Sequence, residues 1–191
     1  MILNGKKIIL GITGGIAAYK AIELARLFIK SGASVWPVMT KASANFITPL
    51  TLQTVAGNPV ALDMFDLTQE SRISHIELAE KADIVVVAPA TANIIGKVAS
   101  GIADDLLTTV IMATRAPLLF APAMNSNMYE NKIVQANIER LKKNGCSFIG
   151  PEEGELACGY EGRGRLAPVE DIVDAAEECL VPKDLKGEKV L

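Results

Sequence analysis

The chain is poor in the residues that staple, ligate metals or bind nucleic acid. Among 191 residues it has three cysteines, one histidine and one tryptophan, with five phenylalanines and three tyrosines. Cys146, Cys158 and Cys179 are an odd number without metal-like spacing. Neither a disulfide framework nor a metal site is therefore expected, and the thiols read as reduced, in a cytoplasmic protein. The few aromatics and a net charge of −3 argue against a nucleic-acid surface. Long hydrophobic runs are missing too. The longest, Ile84–Ala88 and Pro117–Met124, fall far short of a bilayer span, so no membrane partner is expected. The opening Met-Ile-Leu-Asn-Gly-Lys-Lys lacks the apolar core and cleavage site of a signal peptide.

What is present is a repeated alternation of short β-rich runs and amphipathic helices, with half of all residues hydrophobic. That pattern predicts an α/β domain over residues 1–180, a doubly wound parallel sheet in three α/β/α layers. Strands are expected at Lys7–Leu10, Ser34–Met39, Asp83–Ala88, Leu118–Phe120 and Cys146–Ile149. Helices are expected at about 16–30, 75–81, 92–99, 103–114, 130–143 and 168–180, with one or two short ones in 42–57, broken at Pro49. Residues 60–72 read as irregular. Gly150–Ala167 carries five glycines and no periodicity, and reads as one long loop. Val181–Leu191 reads as a linker and the start of a further element, since Lys186-Gly-Glu-Lys-Val-Leu191 resembles Asn4-Gly-Lys-Lys-Ile-Ile9. Continuation into a second domain and a frayed tail are both open readings.

Between the first strand and helix lies Gly11-Ile-Thr-Gly14-Gly15-Ile-Ala-Ala-Tyr-Lys20. Glycines allow close backbone approach, and a helix N-terminus offers N–H groups to a phosphate. The dinucleotide fingerprint is absent, because Thr13 and Ile16 stand where it needs glycine, and the second strand ends in Met39-Thr40 rather than an acid. The Gly-Lys-Ser/Thr ending of a Walker loop is absent as well. A monophosphate such as that of FMN fits better, with the hydroxyls of Thr13 and Thr40 at hand. The third strand leads into Pro89-Ala-Thr-Ala-Asn93, and Gly101-Ile-Ala-Asp104-Asp105 follows one helix later. Their small residues admit a flat ring and their side chains can bond its edge. Thr91 or Asn93, and Asp104 or Asp105, read also as helix caps, but one cap per helix leaves the other polar residues over, which favours a ring site.

Three reactive residues stand out. Asn125, in Ala-Pro-Ala-Met-Asn, and Cys158, in Ala-Cys-Gly-Tyr-Glu-Gly-Arg-Gly-Arg, each follow a buried strand, at the rim where such sheets bind ligands. The single histidine, His75, precedes another such strand. Asn125 reads also as a helix cap, Met128 as core filler, and His75 as a surface residue at a helix start.

The segments GITGGIAAYK, FITPL, HIELAEKAD, APATANIIGK, GIADDLL, APAMNSNM and LACGYEGRGRLA, spread over roughly residues 5–180, resemble the flavin-containing cysteine decarboxylases. The nearest resemblance is to the phosphopantothenoylcysteine decarboxylase domains of bacterial bifunctional coenzyme A biosynthesis proteins. It implies a flavodoxin-like, Rossmann-like fold binding FMN, with Gly14, Gly15, Ile16, Thr40, Thr91, Asn93 and Asp105 as flavin residues. It implies decarboxylation of 4′-phosphopantothenoylcysteine to 4′-phosphopantetheine through thioaldehyde and enethiol intermediates. His75 becomes the base or orienting group of the oxidation, Asn125 the carboxylate holder and Cys158 the proton donor to the enethiol. Met128 packs beside ring or substrate, and Arg163 and Arg165 face the substrate phosphate or the loop backbone. The loop around Cys158 becomes a lid. A homo-oligomer, trimer or dodecamer, and a phosphopantothenate–cysteine ligase domain beginning in 181–191 are implied as well. A peptidyl-cysteine decarboxylase and a non-catalytic regulatory flavoprotein remain the alternatives.

Overall fold

Lys7–Ile12 (β1), Ser34–Met39 (β2), Ile84–Ala90 (β3), Leu118–Pro122 (β4) and Ser147–Phe148 (β5) form one parallel sheet in the order β2-β1-β3-β4-β5. This is the flavodoxin-like order. The computed structural model describes residues 2–64, 75–155, 159 and 161–181. Cys158, the tail 182–191 and most of the irregular stretch expected at 60–72 lie outside the described residues.

The central strands are apolar along their whole length because helices cover both sheet faces. On β3 all seven residues are buried, and they alternate between two cores. Ile84, Val86 and Ala88 join one, with Lys20–Lys30 (α1), Pro49–Ala56 (α2) and Val169–Leu180 (α8). Val85 and Val87 join the other, with His75–Lys81 (α3), Ala92–Ala99 (α4), Leu106–Ala113 (α5) and Lys132–Lys143 (α7). A register shift between Val87 and Ala90 then turns Ala90 onto the second face. Gly11 lets α5 sit close, since a Cβ there would lie 2.6 Å from Leu107 Cδ1. Among the described residues no helix is long and apolar enough to cross a membrane.

Helix boundaries follow local chemistry. Thr48 caps α2, Pro49 occupies its first turn, and Gly57, at φ +70°, ends it. The helix expected from residue 103 begins at Leu106, because Asp105 and Thr108 form a reciprocal capping box. The helix expected at about 130–143 is α7, capped by Asn131, and an unexpected short helix, Ser126–Tyr129 (α6), capped by Asn125, precedes it.

One expectation is overturned. Gly150–Ala167 is not a featureless loop: Glu152–Glu155 (β6) pairs antiparallel with Glu161–Arg165 (β7). The pairing escapes a hydrophobicity reading because its residues are acidic, basic or glycine. The hairpin rests on the protein through backbone and arginine contacts rather than an apolar face.

Candidate active site

The order of the sheet reverses between β1 and β3, so the chain leaves their carboxyl ends in opposite directions and opens a crevice. Thr13 stitches the two ends together. Its buried hydroxyl donates to the Pro89 carbonyl (2.7 Å) and accepts from the Thr91 amide (3.2 Å). The expectation that Thr13 offers its hydroxyl to a phosphate is therefore corrected: that group organises the crevice floor. Thr40 likewise directs its hydroxyl to the Ile12 carbonyl (3.4 Å), and its own carbonyl receives Ser43 Oγ (2.7 Å).

The two glycines of the turn differ in kind. A Cβ on Gly14 would lie 2.5 Å from Ala42 Cβ, so Gly14 is demanded by the packing of the 41–45 turn. Gly15 has extended backbone at φ −156°, open to any residue, and its Cβ would make only an ordinary 3.6 Å contact with Thr91 Cγ2. Among the described residues nothing requires glycine there. A ligand laid against the backbone would.

A cleft of about 1350 Å³ opens above this floor. Gly14, Gly15, Ile16, Thr40, Thr91, Asn93 and Asp105 all line it, together with Asn125, Met128 and Arg165. The volume exceeds the roughly 300–1,000 Å³ of a typical small-molecule site, leaving room for a cofactor and a substrate together.

Several side chains on the rim have a second duty. Thr91 caps α4, accepting from the Ile94 amide. Asn125 caps α6, its Oδ1 accepting from the Asn127 amide at 2.9 Å. Asp105 Oδ1 accepts from the Thr108 amide (2.8 Å) and hydroxyl (2.9 Å), and Oδ2 from Lys97 Nζ (3.0 Å). Burial opposes ionisation of Asp105, but the Thr108 amide, Lys97 and the Thr108 hydroxyl outweigh it and hold the carboxyl below its usual value. Lys97 also reaches Asp104 (2.7 Å); that bond, against the effect of burial and helped by Asp105, raises its affinity for its proton.

Lys97 lines the cleft and was missed by sequence reasoning. A lysine within an amphipathic helix reads as solvent-facing, and its partners arrive only after the Gly101 turn.

Not every candidate enters the cleft. His75 begins α3, half-buried, and lies outside the cleft lining of its own chain. Of the two expectations for Arg163, phosphate or loop backbone, the structure shows the second: its Nε donates to the Pro151 carbonyl (3.3 Å) and its guanidinium lies 5.6 Å from the Tyr129 ring centre. It ties the hairpin to α6. Arg165, on the same strand, lines the cleft, as does Gly159 from the β6–β7 connection. The hairpin also meets the Asn125 loop through the Met124 amide, which donates to the Gly164 carbonyl (2.9 Å). Of the remaining thiols, Cys146 has its pKa raised by burial, as expected of an inert core cysteine.

Known proteins resemble this chain in sequence and fold. The chain is 50% identical over 189 residues to the coenzyme A biosynthesis bifunctional protein CoaBC of Vibrio cholerae, a match covering 99% of this chain and 47% of that protein. It thus spans about half the length of the relative. Among solved structures, a PPC decarboxylase mutant complexed with pantothenoylaminoethenethiol superposes with a TM-score of 0.80 at 33% identity, over 92% of this chain and 98% of that one. The FMN-dependent cysteine decarboxylase SpaF gives a TM-score of 0.79 at 28% identity, over 95% and 100%. The family model described as Flavoprotein matches residues 2–180, from the first turn to the end of α8, and the chain belongs to that family.

Proposed function

We propose that the chain binds FMN and decarboxylates 4′-phosphopantothenoylcysteine to 4′-phosphopantetheine, a step in coenzyme A biosynthesis. The observation that carries this reading is the single cleft that gathers all seven flavin candidates with Asn125, Met128 and Arg165. The related CoaBC protein and the PPC decarboxylase fold support the substrate, and SpaF supports the cofactor.

The floor suits a flavin. Gly15 leaves the backbone bare where no packing asks for it, so Gly14, Gly15 and Ile16 hold the phosphate end. Thr40 lies beside them, and Thr91, Asn93 and Asp105 border the ring. FMN bound there supplies a reversible two-electron oxidation that gives the departing carboxylate an electron sink, with no net oxidant consumed.

Asn125 holds the substrate carboxylate. Its Oδ1 accepts from the Asn127 amide, which orients the side chain, and Nδ2 is the donor to the carboxylate. A neutral amide orients the anion without the strong stabilisation from a cation that would oppose its loss. Arg165 is the cation for the substrate phosphate, Arg163 being committed to Pro151 and Tyr129. Met128 packs beside the substrate. Cys158 gives the proton that replaces CO2 in the product.

His75 takes a proton from the cysteinyl side, and it does so in the cleft of a neighbouring copy. Its place outside its own cleft supports this, as do the exposed apolar side chains of Ile16 (61%), Tyr19 (58%) and Leu50 (72%). Such exposure marks surface that association covers. A trimer or a multiple of it, with the sites between copies, satisfies both. In the longer protein a phosphopantothenate–cysteine ligase domain after residue 181 supplies the substrate, a part of the reading that rests on sequence resemblance.

Anaerobic mixing of the flavin-loaded protein with 4′-phosphopantothenoylcysteine, followed by mass spectrometry, tests the whole reading. Appearance of 4′-phosphopantetheine with CO2 is expected. No turnover by a flavin-loaded oligomer would overturn it.

A further inference from the structure

Two glycines of β7 have no conformational reason to be glycine. Neither Gly162 nor Gly164 has φ in the left-handed region, so alanine could adopt either backbone. The reason is spatial. Standing two apart on a strand, they share one face, and that face lies on residues 124–126. A Cβ on Gly164 would overlap the Met124 carbonyl oxygen and stand 3.3 Å from the Ser126 amide nitrogen. A Cβ on Gly162 would stand 2.9 Å from Ser126 Cβ and 3.0 Å from Ser126 Oγ. Between these two points of contact sits Asn125.

The close approach permits a specific bond. The Met124 amide donates to the Gly164 carbonyl at 2.9 Å, joining β7 to the loop that carries Asn125. Arg163, between the two glycines, reaches Pro151 and the Tyr129 ring. The hairpin is thus fixed to the segment 124–129 at three places. Glycine here serves close contact.

We infer that Gly162 and Gly164 are positioning residues: their bare face sets the height and angle at which the Asn125 amide meets the substrate. The inference rests on the proposed decarboxylase reading for its kinetic consequence and on geometry alone for its structural one.

The two contacts differ in a way that makes the inference testable. Gly164 faces a backbone carbonyl, which no side-chain change can move. Among the described residues Gly162 faces only side-chain atoms of Ser126, which Ser126→Gly removes. In flavin-loaded protein, Gly164→Ala is expected to keep its FMN while kcat falls on the order of a hundredfold, the cost of a misplacement near 1 Å. Its Met124 amide should exchange hydrogen faster than in the unaltered protein. Gly162→Ala is expected to lose about tenfold in kcat, and Gly162→Ala with Ser126→Gly to return within about twofold of Ser126→Gly alone. A hairpin that needs its glycines for mobility would stay impaired in that double variant.

A double variant as slow as Gly162→Ala overturns the inference, and so does unaltered exchange at Met124 in Gly164→Ala. Should Gly164→Ala fail to fold, the Gly162–Ser126 pair decides. Should the unaltered protein make no 4′-phosphopantetheine, the decarboxylase reading fails. Amide exchange at Met124, across Gly162→Ala and its Ser126→Gly double variant, then decides the positioning role.

Discussion

The cleft has two walls made by different means. The first, Gly14–Ile16 with Thr91–Asn93, hangs from β1 and β3, whose side chains are buried on both faces of the sheet, and is laced by the Thr13 hydroxyl. The second, 124–126 with β7, has no apolar core of its own. Among the described residues, one backbone bond, two glycine contacts and one arginine join β7 to the segment 124–129. Burial at about 25 cal/mol per Å² makes the first wall strong and insensitive to detail. The second is held by contacts each worth about 1 kcal/mol, and so depends on geometry. A pre-formed seat for a resident cofactor suits the first construction, and close placement of one reacting side chain, Asn125, suits the second.

The most severe test asks whether two walls suffice. His75 is in neither, and the proposal places it in the cleft of a neighbouring copy. His75→Asn should keep its bound flavin while CO2 release falls about a thousandfold, within the range for loss of a general base. Asn125→Ala should be similarly inactive. Oligomers co-assembled from His75→Asn and Asn125→Ala subunits should regain a substantial fraction of turnover, because some of their clefts combine an intact Asn125 with an intact neighbouring His75. No recovery would sink the shared-site arrangement and return His75 to its own chain.

The next test separates the two arginines of β7. Arg165 lines the cleft and Arg163 does not. Loss of a charge-assisted bond to phosphate is worth about 1.5–3 kcal/mol, so Arg165→Gln should raise KM roughly 10- to 100-fold with little change in kcat. Arg163→Gln should leave KM nearly unaltered and lower kcat a few-fold, by loosening the hairpin from Tyr129. The same steady-state assay reads both. A KM effect from Arg163 would mean that it swings from Tyr129 to the phosphate during turnover.

The first wall was legible in the sequence and the second only in part. Strands such as Ile-Val-Val-Val-Ala-Pro-Ala announce a covered parallel sheet because burial on both faces leaves no polar position. The glycine turn was legible as a turn. Its division of labour was not: that Gly14 answers to Ala42, and that Thr13 is spent on Pro89, depends on a partner some 30 or 76 residues away. Glu-Glu-Gly-Glu and Glu-Gly-Arg-Gly-Arg carry no alternation of apolar and polar residues, so the β6–β7 hairpin could not be seen. The Asn125 reading of cap or ligand resolves into a cap that also lines the cleft.

Within the first wall, the two glycines should part company. Gly14→Ala forces Ala42 and the 41–45 turn to move, and overpacking of this kind costs about 1–3 kcal/mol; thermal stability and FMN retention should fall together. Gly15→Ala meets only the ordinary contact with Thr91. It should melt like the unaltered protein without cofactor, yet hold FMN more weakly. Equilibrium dialysis of FMN beside calorimetry of the cofactor-free forms distinguishes the two. Equal destabilisation by both would mean that the turn is tighter than its contacts indicate.

The smallest effect is expected at Asp105, where the first wall depends on charge. Its carboxyl is held below the ordinary value, chiefly by the Thr108 amide and Lys97 acting against burial. A carboxyl depressed on folding contributes stability that is fully present above its unfolded-state pKa, about 3.9 for aspartate. The contribution is lost as pH falls through the lower folded-state value. Asp105→Asn keeps a side chain able to cap α5 and removes only the charge. Its deficit should be about 0.5 kcal/mol, the scale of a partly exposed ion pair. That deficit should be constant from neutral pH down to about pH 5 and shrink below about pH 4. Denaturant unfolding across that range gives the curve. A deficit that persisted unchanged at pH 3 would assign the stabilisation to the capping geometry rather than to the Lys97–Asp105 charge pair. Asp105 would then shape the flavin wall as a helix cap alone.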